Sequence, residues 1–165
     1  MSTFTVATLK ITAEPGQHAI LSEREFDAPR DLVFRCWSEP ELLKQWLGPE
    51  RLEMRIDEFD FRHGGTYRYA HIEPDGSEYG FRGVFHGPLS PDAMVQTFEF
   101  EGAPGHVSLD RLELVDLGGG RTLARTQSAY LTVEARDAMI ESGMADGMES
   151  GYQQLDALLG RLRAS

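Results

Sequence analysis

Thr132–Ser165 reads TVEARDAMIESGMADGMESGYQQLDALLGRLRAS, and its apolar residues keep a helical beat, with Met144, Met148, Tyr152, Leu155, Leu159 and Leu162 at spacings of four and three. That spacing predicts one long helix over about residues 133–162, with Thr132 as its N-cap. A helix with one apolar stripe needs an apolar surface to lie across. The chain before it supplies one. From about Leu52 to Leu131 strand signals follow one another, punctuated at Gly64–Gly65, Asp75–Gly76, Pro88–Pro91, Gly102–Gly105 and Gly118–Gly120. An antiparallel meander followed by a helix across it is an α+β arrangement. Gly118–Gly120 precedes a strand, not a helix whose N-terminus could hold an anion, and reads as a hairpin turn.

The predicted helix has one oddity. Gly143, Gly147 and Gly151 recur every fourth residue beside the apolar stripe, and each costs about 1 kcal/mol relative to alanine in a helix interior. Two explanations stay open: close packing of helix on sheet, or space left for a ligand with flexible methionines as its wall.

Towards the N-terminus, Phe4–Phe26 alternates well enough for one or two strands around Glu14–Pro15–Gly16, so residues 1–19 form an extension or an extra strand. Asp27–Pro49, DAPRDLVFRCWSEPELLKQWLGP, changes period. Pro29 and Pro40 suit first helical turns and Gly48–Pro49 ends the segment, which predicts two short helices. Leu32, Val33, Cys36 and Trp37 share one face of the first, and Leu42, Leu43 and Trp46 share one of the second.

The length of 165 residues suits one domain with a sizeable core. No apolar run has membrane-spanning length and the N-terminal residues lack a secretory pattern, so a cytoplasmic protein without stable membrane insertion is expected. With 27 acidic against 16 basic residues the formal charge is −11, and no basic run offsets it; nucleic acid is not an expected partner. The lone Cys36 reads as a small buried hydrophobe. His63, His71, His86 and His106 have no short fixed spacing and no second cysteine beside them, so no metal and no cofactor is expected.

The stretch FRHGGTYRYAHIEPDGSEYGF, Phe61–Phe81, is rich in residues that could carry chemistry, but it reads first as a hairpin. An even loop at Asp75–Gly76 pairs Ile72 with Tyr79 and Ala70 with Phe81. Arg68, Ala70, Ile72, Tyr79, Phe81 and Phe85 then face inward, and Tyr67, Tyr69, His71, Arg82, Val84 and His86 outward; a bulge would swap part of this. Arg68 so placed needs a partner. Either an internal carboxylate such as Glu99 supplies it, or Arg68 anchors the carboxylate or oxyanion of an apolar ligand.

REFDAPRDLVFRCWSEPELLKQWLGP (Arg24–Pro49), GGTYRYAHIEPDGSEYGFRGVFHGPLSP (Gly64–Pro91), TFEFEG (Thr97–Gly102), GHVSLDRLEL (Gly105–Leu114) and ARDAMIESGMADGMESGYQQLDALL (Ala135–Leu159) resemble the C-terminal domain of activators of Hsp-90 ATPase. That domain belongs to the SRPBCC superfamily, with START lipid carriers, the birch pollen allergen and polyketide cyclases. The resemblance runs from Ile20 to Leu162. It implies a helix-grip fold, in which a curved antiparallel sheet of about six or seven strands wraps the long C-terminal helix and the two short helices close one end.

The resemblance also implies a cavity between sheet and helix for a small apolar or amphipathic ligand. Arg68, Phe81, Phe85, Met144, Met148 and Tyr152 would line it, Trp46 would stand near its mouth, and Phe98, Phe100 and Tyr130 are further candidates whose strand register is open. A polyketide cyclase- or dehydratase-like enzyme is the alternative, with His106, Glu99 and Tyr130 as residues of suitable acid-base chemistry. A chaperone-linked interaction module is the third reading, and within these 165 residues there is no room for the separate N-terminal module of the co-chaperones.

Overall fold

The computed structural model describes residues 2–164. In chain order it contains β1 (Thr3–Val6), β2 (Leu9–Thr12), β3 (Ala19–Phe26), α1 (Arg30–Ser38), α2 (Pro40–Leu43), β4 (Glu53–Phe59), β5 (Thr66–Ile72), β6 (Glu78–Ser90), β7 (Ala93–Phe100), β8 (Val107–Gly118), β9 (Arg121–Ala129), α3 (Val133–Glu141) and α4 (Met144–Ala164). The strands form one antiparallel sheet in the order β1-β2-β3-β9-β8-β7-β6-β5-β4. It has nine strands, not six or seven.

Part of the difference is the N-terminal hairpin. Val6 pairs with Leu9 across a two-residue turn at Ala7–Thr8, where Ala7 takes a positive φ of 53°. Such turns normally announce themselves with Asn or Gly. Here nothing in the residue types did. The Glu14–Gly16 turn is also present, closed by the Gln17 amide on the Glu14 carbonyl at 3.2 Å.

The predicted C-terminal helix begins at the predicted cap, where Thr132 Oγ1 accepts the Ala135 amide at 3.0 Å. It is two helices, however, because Gly143 has a φ of +86° and breaks the run after Ser142. A glycine that looked like an interior penalty is the hinge of a helix-to-helix corner. Gly151 is the one packed closely, since a Cβ there would lie 3.0 Å from the Trp46 carbonyl oxygen. Gly147 has open space on the same test.

Strand parity fixes an inner face towards the helices: Leu9 and Ile11 on β2, Ile20 to Phe26 on β3, Thr122 to Ser128 on β9, Ser108 to Leu114 on β8, and Met94 to Phe100 on β7. Leu9, Ile11, Ile20, Phe26, Leu114, Leu155 and Leu159 are sealed in the core between this face and α4. Trp37, Trp46, Tyr152 and Phe26 form one aromatic cluster, with ring centroids 4.7–6.2 Å apart. Trp46 is 2 % exposed and its indole N–H donates to the Cys36 carbonyl at 2.9 Å. It is a core residue, not one at a mouth. Cys36 is buried beside it, its thiol pushed up to about 11 by burial.

Arg24 continues the inward phase of Ile20 and Ser22 and is 4 % exposed. Its guanidinium takes Glu149 at 3.0 and 3.2 Å and Asp156 at 2.7 and 2.8 Å, and lies 4.8 Å from the centre of the Phe26 ring. Burial opposes its charge, but the two carboxylates outweigh that and hold it fully protonated. This knot ties β3 to the middle of α4. Arg136 is equally buried and docks α3, donating to the Ala19 and Glu14 carbonyls at 2.9 and 3.0 Å.

Candidate functional site

The β5–β6 hairpin decides what the inner face offers. Its loop is odd: the Gly76 amide bonds the Glu73 carbonyl at 2.9 Å and the Glu73 amide bonds the Ser77 carbonyl at 2.8 Å, with Gly76 at φ +92°. Three residues, Pro74–Gly76, therefore cross between the strands in a turn with a glycine bulge. Tyr69 consequently pairs with Phe81, Tyr67 with Gly83 and His71 with Tyr79. The expected faces hold for β6 and are exchanged for β5. Tyr67, Tyr69 and His71 point inward and are buried, while Arg68, Ala70 and Ile72 lie on the other face.

Arg68 is thus no inward anchor. Across Gly80, which has no side chain to obstruct it, its Nε and Nη2 bond both oxygens of Glu101 at 2.8 Å. Nη1 reaches Asp57 at the β4 bulge. Its expected partner Glu99 pairs instead with Arg82 at 3.4 Å and accepts the Gly105 amide at 2.7 Å. The bond to Glu101 raises the Arg68 pKa and lowers that of Glu101. Because both side chains of this pair stay partly open to water, Arg68→Ala should leave the melting midpoint within about 2 °C of wild type. It should also leave the resonances of Phe81 and Phe98 unmoved in NMR spectra, and movement of those rings would contradict the outward placement.

The inner face from β5 to β9 has two kinds of surface. One is a panel of rings: Tyr67 on Tyr69, Tyr69 on Phe81, and Phe81 on Phe98, with centroids 5.3–6.0 Å apart and interplanar angles of 17–24°; Phe100 adjoins Phe81 at 5.2 Å. The other is polar. Gln96 stands opposite Asp110, and Asp110 opposite Ser128. The Ser108 hydroxyl donates to Asp110 Oδ1 at 3.0 Å. Burial raises the Asp110 pKa, partly offset by hydrogen bonds from Ser128 and Ser108. Tyr130 is pushed up to about 12, by burial and then by the charge of Asp110; Tyr69 is raised for the same two reasons, and Tyr67 by burial, then by Tyr69 and by Asp110.

Phe81, Phe98, Phe100, Gln96, Asp110, Ser128 and Tyr130 are only half-buried although they face inward. Phe85 is buried in the cluster with Tyr67 and Tyr69. Met144 and Met148 are half-buried and pack on the main core from the helix side, and Tyr152 lies wholly within that core. Of the acid-base candidates, Tyr130 reaches this region. Glu99 belongs to the outer face, and His106 is exposed in the β7–β8 loop. Asp110 is not among the site residues expected from the sequence, yet it keeps step with Leu112 and Leu114, a spacing that marks it as inward.

His71 faces inward and His86 outward, contrary to a shared face. His71 Nδ1 is buried without a hydrogen-bond partner, and burial lowers its pKa, which keeps the ring neutral. Among the described residues no cluster of three or more His, Cys, Asp or Glu is arranged to hold a metal ion. No described helix is long and apolar enough to cross a membrane.

Two concavities lie elsewhere. A cleft of about 610 Å³ is lined by Thr8, Arg24, Asp27, Arg121, Asp156 and Arg163, among others, near the end of α4. Its arginines are already held by carboxylates: Arg24 by Asp156, Arg121 by Glu25, and Arg163 by Asp27. A second, of about 390 Å³, adjoins Pro49–Arg51 and Ser150. Between the sheet and the helices stand the half-buried inward side chains.

A model of the family described as activator of Hsp90 ATPase homolog 1-like protein matches residues 27–160. No curated protein matches the sequence. Among solved structures, a protein from Rhodobacter sphaeroides is 28% identical and superposes with a TM-score of 0.84, over 93% of this chain and 99% of its own. A solution structure from Arthrobacter aurescens is 27% identical with a TM-score of 0.82, over 92% of this chain and 91% of its own. CalU16 from Micromonospora echinospora shares the fold at 19% identity, with a TM-score of 0.59 over 96% of this chain and 82% of its own.

Proposed function

The chain therefore belongs to the activator of Hsp90 ATPase homolog 1-like family, and we propose that it binds a small apolar or amphipathic molecule against the inner face of its sheet, between β5–β9 and the first turns of α4. The observation that carries this is the partial exposure of Phe81, Phe98, Phe100 and Tyr130. They share their face with Phe85, Met94 and Leu112, which are sealed. Inward apolar surface left within reach of water is costly, and a bound molecule would remove that cost.

The helix side suits such a role. Met144 and Met148 are adaptable side chains, and Gly147 between them leaves open space. In this reading the fold works as a helix grip within one domain, in a cytoplasmic protein. Trp46 and Tyr152 support the site from the core, and Arg68 takes no part. Protein purified under mild conditions should show a small-molecule adduct in its native mass spectrum that denaturation removes. Returning that compound to stripped protein should move the Met144 and Met148 methyl resonances. A bare mass, with methyls that no member of an apolar fragment panel moves, would overturn the proposal.

Asp110 favours a second reading, an acid-base enzyme of the cyclase or dehydratase kind. A carboxyl with a raised pKa beside the Tyr130 phenol can give and take a proton on a bound substrate. The two readings part on whether the adduct compound returns from incubation unchanged or altered.

A further inference from the structure

We infer that the molecule held on this inner face is a protonated amine on an apolar body, with Asp110 as its counter-ion and the half-buried rings of Phe81 and Phe98, at the open end of the Tyr67–Tyr69–Phe81–Phe98 panel, as its seat. The inference rests on the binding role proposed above and names the ligand class. Its first support is what the inner face lacks. Among the described residues the buried guanidiniums are Arg24 and Arg136, and both are occupied, by Glu149 and Asp156 in one case and by Asp137 and backbone carbonyls in the other. With Arg68 on the outer face, no described arginine or lysine stands free on the inner face to receive an anion.

The second support is Asp110 itself. Its partners are the hydroxyls of Ser108 and Ser128, and among the described residues no cation acts on it. A half-buried carboxylate whose charge burial disfavours and no cation offsets is the less stable arrangement, and an incoming ammonium group would correct it. The other groups facing it are Gln96 and the phenols of Tyr67, Tyr69 and Tyr130, all neutral near pH 7. Aromatic rings attract cations through the negative potential of their faces, and stacked rings offer a broad seat to the apolar body. The net charge of −11 adds a field that draws cations and repels anions.

Naphthylmethylamine, naphthylmethanol and naphthoic acid share one ring body and test the head group alone. Titrated into the wild-type protein at pH 7 and followed by NMR, the amine should bind about tenfold or more tightly than the alcohol, as a charge-assisted hydrogen bond requires. The acid should bind most weakly. Amine affinity should fall as pH is lowered through the Asp110 pKa while alcohol affinity stays level, which needs no mutant. Asp110→Asn should remove the amine's advantage and spare the alcohol.

The folding of Asp110→Asn can be judged independently. A raised carboxyl pKa means that the ionised form is disfavoured in the fold, so Asp110 lowers stability as pH rises through its folded pKa and has no such effect below its unfolded value. Asp110→Asn should therefore melt higher than wild type at pH 7 and lose that advantage in acid. If the three probes bind alike, or Asp110→Asn leaves the amine's preference intact, the amine assignment falls and the binding role stands. If none of the three binds, and no adduct is found, the binding role falls with it.

Discussion

Arg24→Met should unfold with a stability about 3–5 kcal/mol below that of the wild type, a large share of the total for a domain of this size. The cause is the carboxylate left behind. The Glu149 side chain is 5% exposed and cannot turn to water, whereas Asp156, at 45%, can. Glu149→Gln should therefore cost clearly more than Asp156→Asn. The double variant Arg24→Met, Glu149→Leu removes both buried charges and should recover most of the loss, because an apolar pair of similar volume is often as stable as a buried ion pair. Urea denaturation of the four variants measures all of this. A loss below about 1 kcal/mol for Arg24→Met would mean that Glu149 finds water and that the β3–α4 knot does not hold the fold.

That knot was half legible in the residues. The alternation of the hairpin points to Arg68 as an inward arginine with an internal partner, whereas in the structure that place is held by Arg24. Ile20, Ser22, Arg24 and Phe26 alternate without interruption, so parity alone carries Arg24 to the core. Parity at Arg68 depended on the loop length, and one residue in that loop reverses every side chain of one strand. The Glu73–Ser77 stretch is compatible with even and odd loops alike; the bulge at Gly76 is settled by backbone geometry.

Other gaps have the same character. The helix periodicity marks the helical stretch but reads as one helix, because Gly143 could stand either inside a helix or at its end and only its φ distinguishes the two. The β1–β2 turn has an alanine where glycine would have announced it. Asp110 was readable, because Leu112 and Leu114 set its face, yet a charged residue in a strand is ordinarily assigned to solvent. The aromatic panel came through in part: Phe81 from the alternation of its hairpin, Phe98 and Phe100 only through the family resemblance with their register open, and Tyr67 and Tyr69 only from the register in the structure.

The panel depends on one missing side chain, and Gly83→Ala tests it. The Tyr67 ring crosses above Gly83 to place its hydroxyl on the Thr97 carbonyl at 2.6 Å, and the Val84 amide turns to the Thr97 hydroxyl at 2.9 Å. A Cβ at position 83 would stand 1.9 Å from that carbonyl oxygen and 2.6 Å from the phenol oxygen. The carbonyl is backbone of the neighbouring strand, so relief requires the strands to part or the ring to leave. Overpacking and a broken buried hydrogen bond together should cost about 3–5 kcal/mol. Tyr67→Phe loses the hydrogen bond without the clash and should cost about 1–2 kcal/mol. The two changes should not add, because Gly83→Ala already displaces the hydroxyl that Tyr67→Phe deletes. Additive losses in a double-mutant cycle, or a Gly83→Ala protein within about 1 kcal/mol of wild type, would show that the Tyr67 ring does not depend on this gap. Tyr67 heads the stacked series that continues through Tyr69 and Phe81 to Phe98. Displacing it should therefore also weaken binding of naphthylmethanol, which has no charge for Asp110 to hold, so Gly83→Ala reports on the apolar seat separately from the counter-ion.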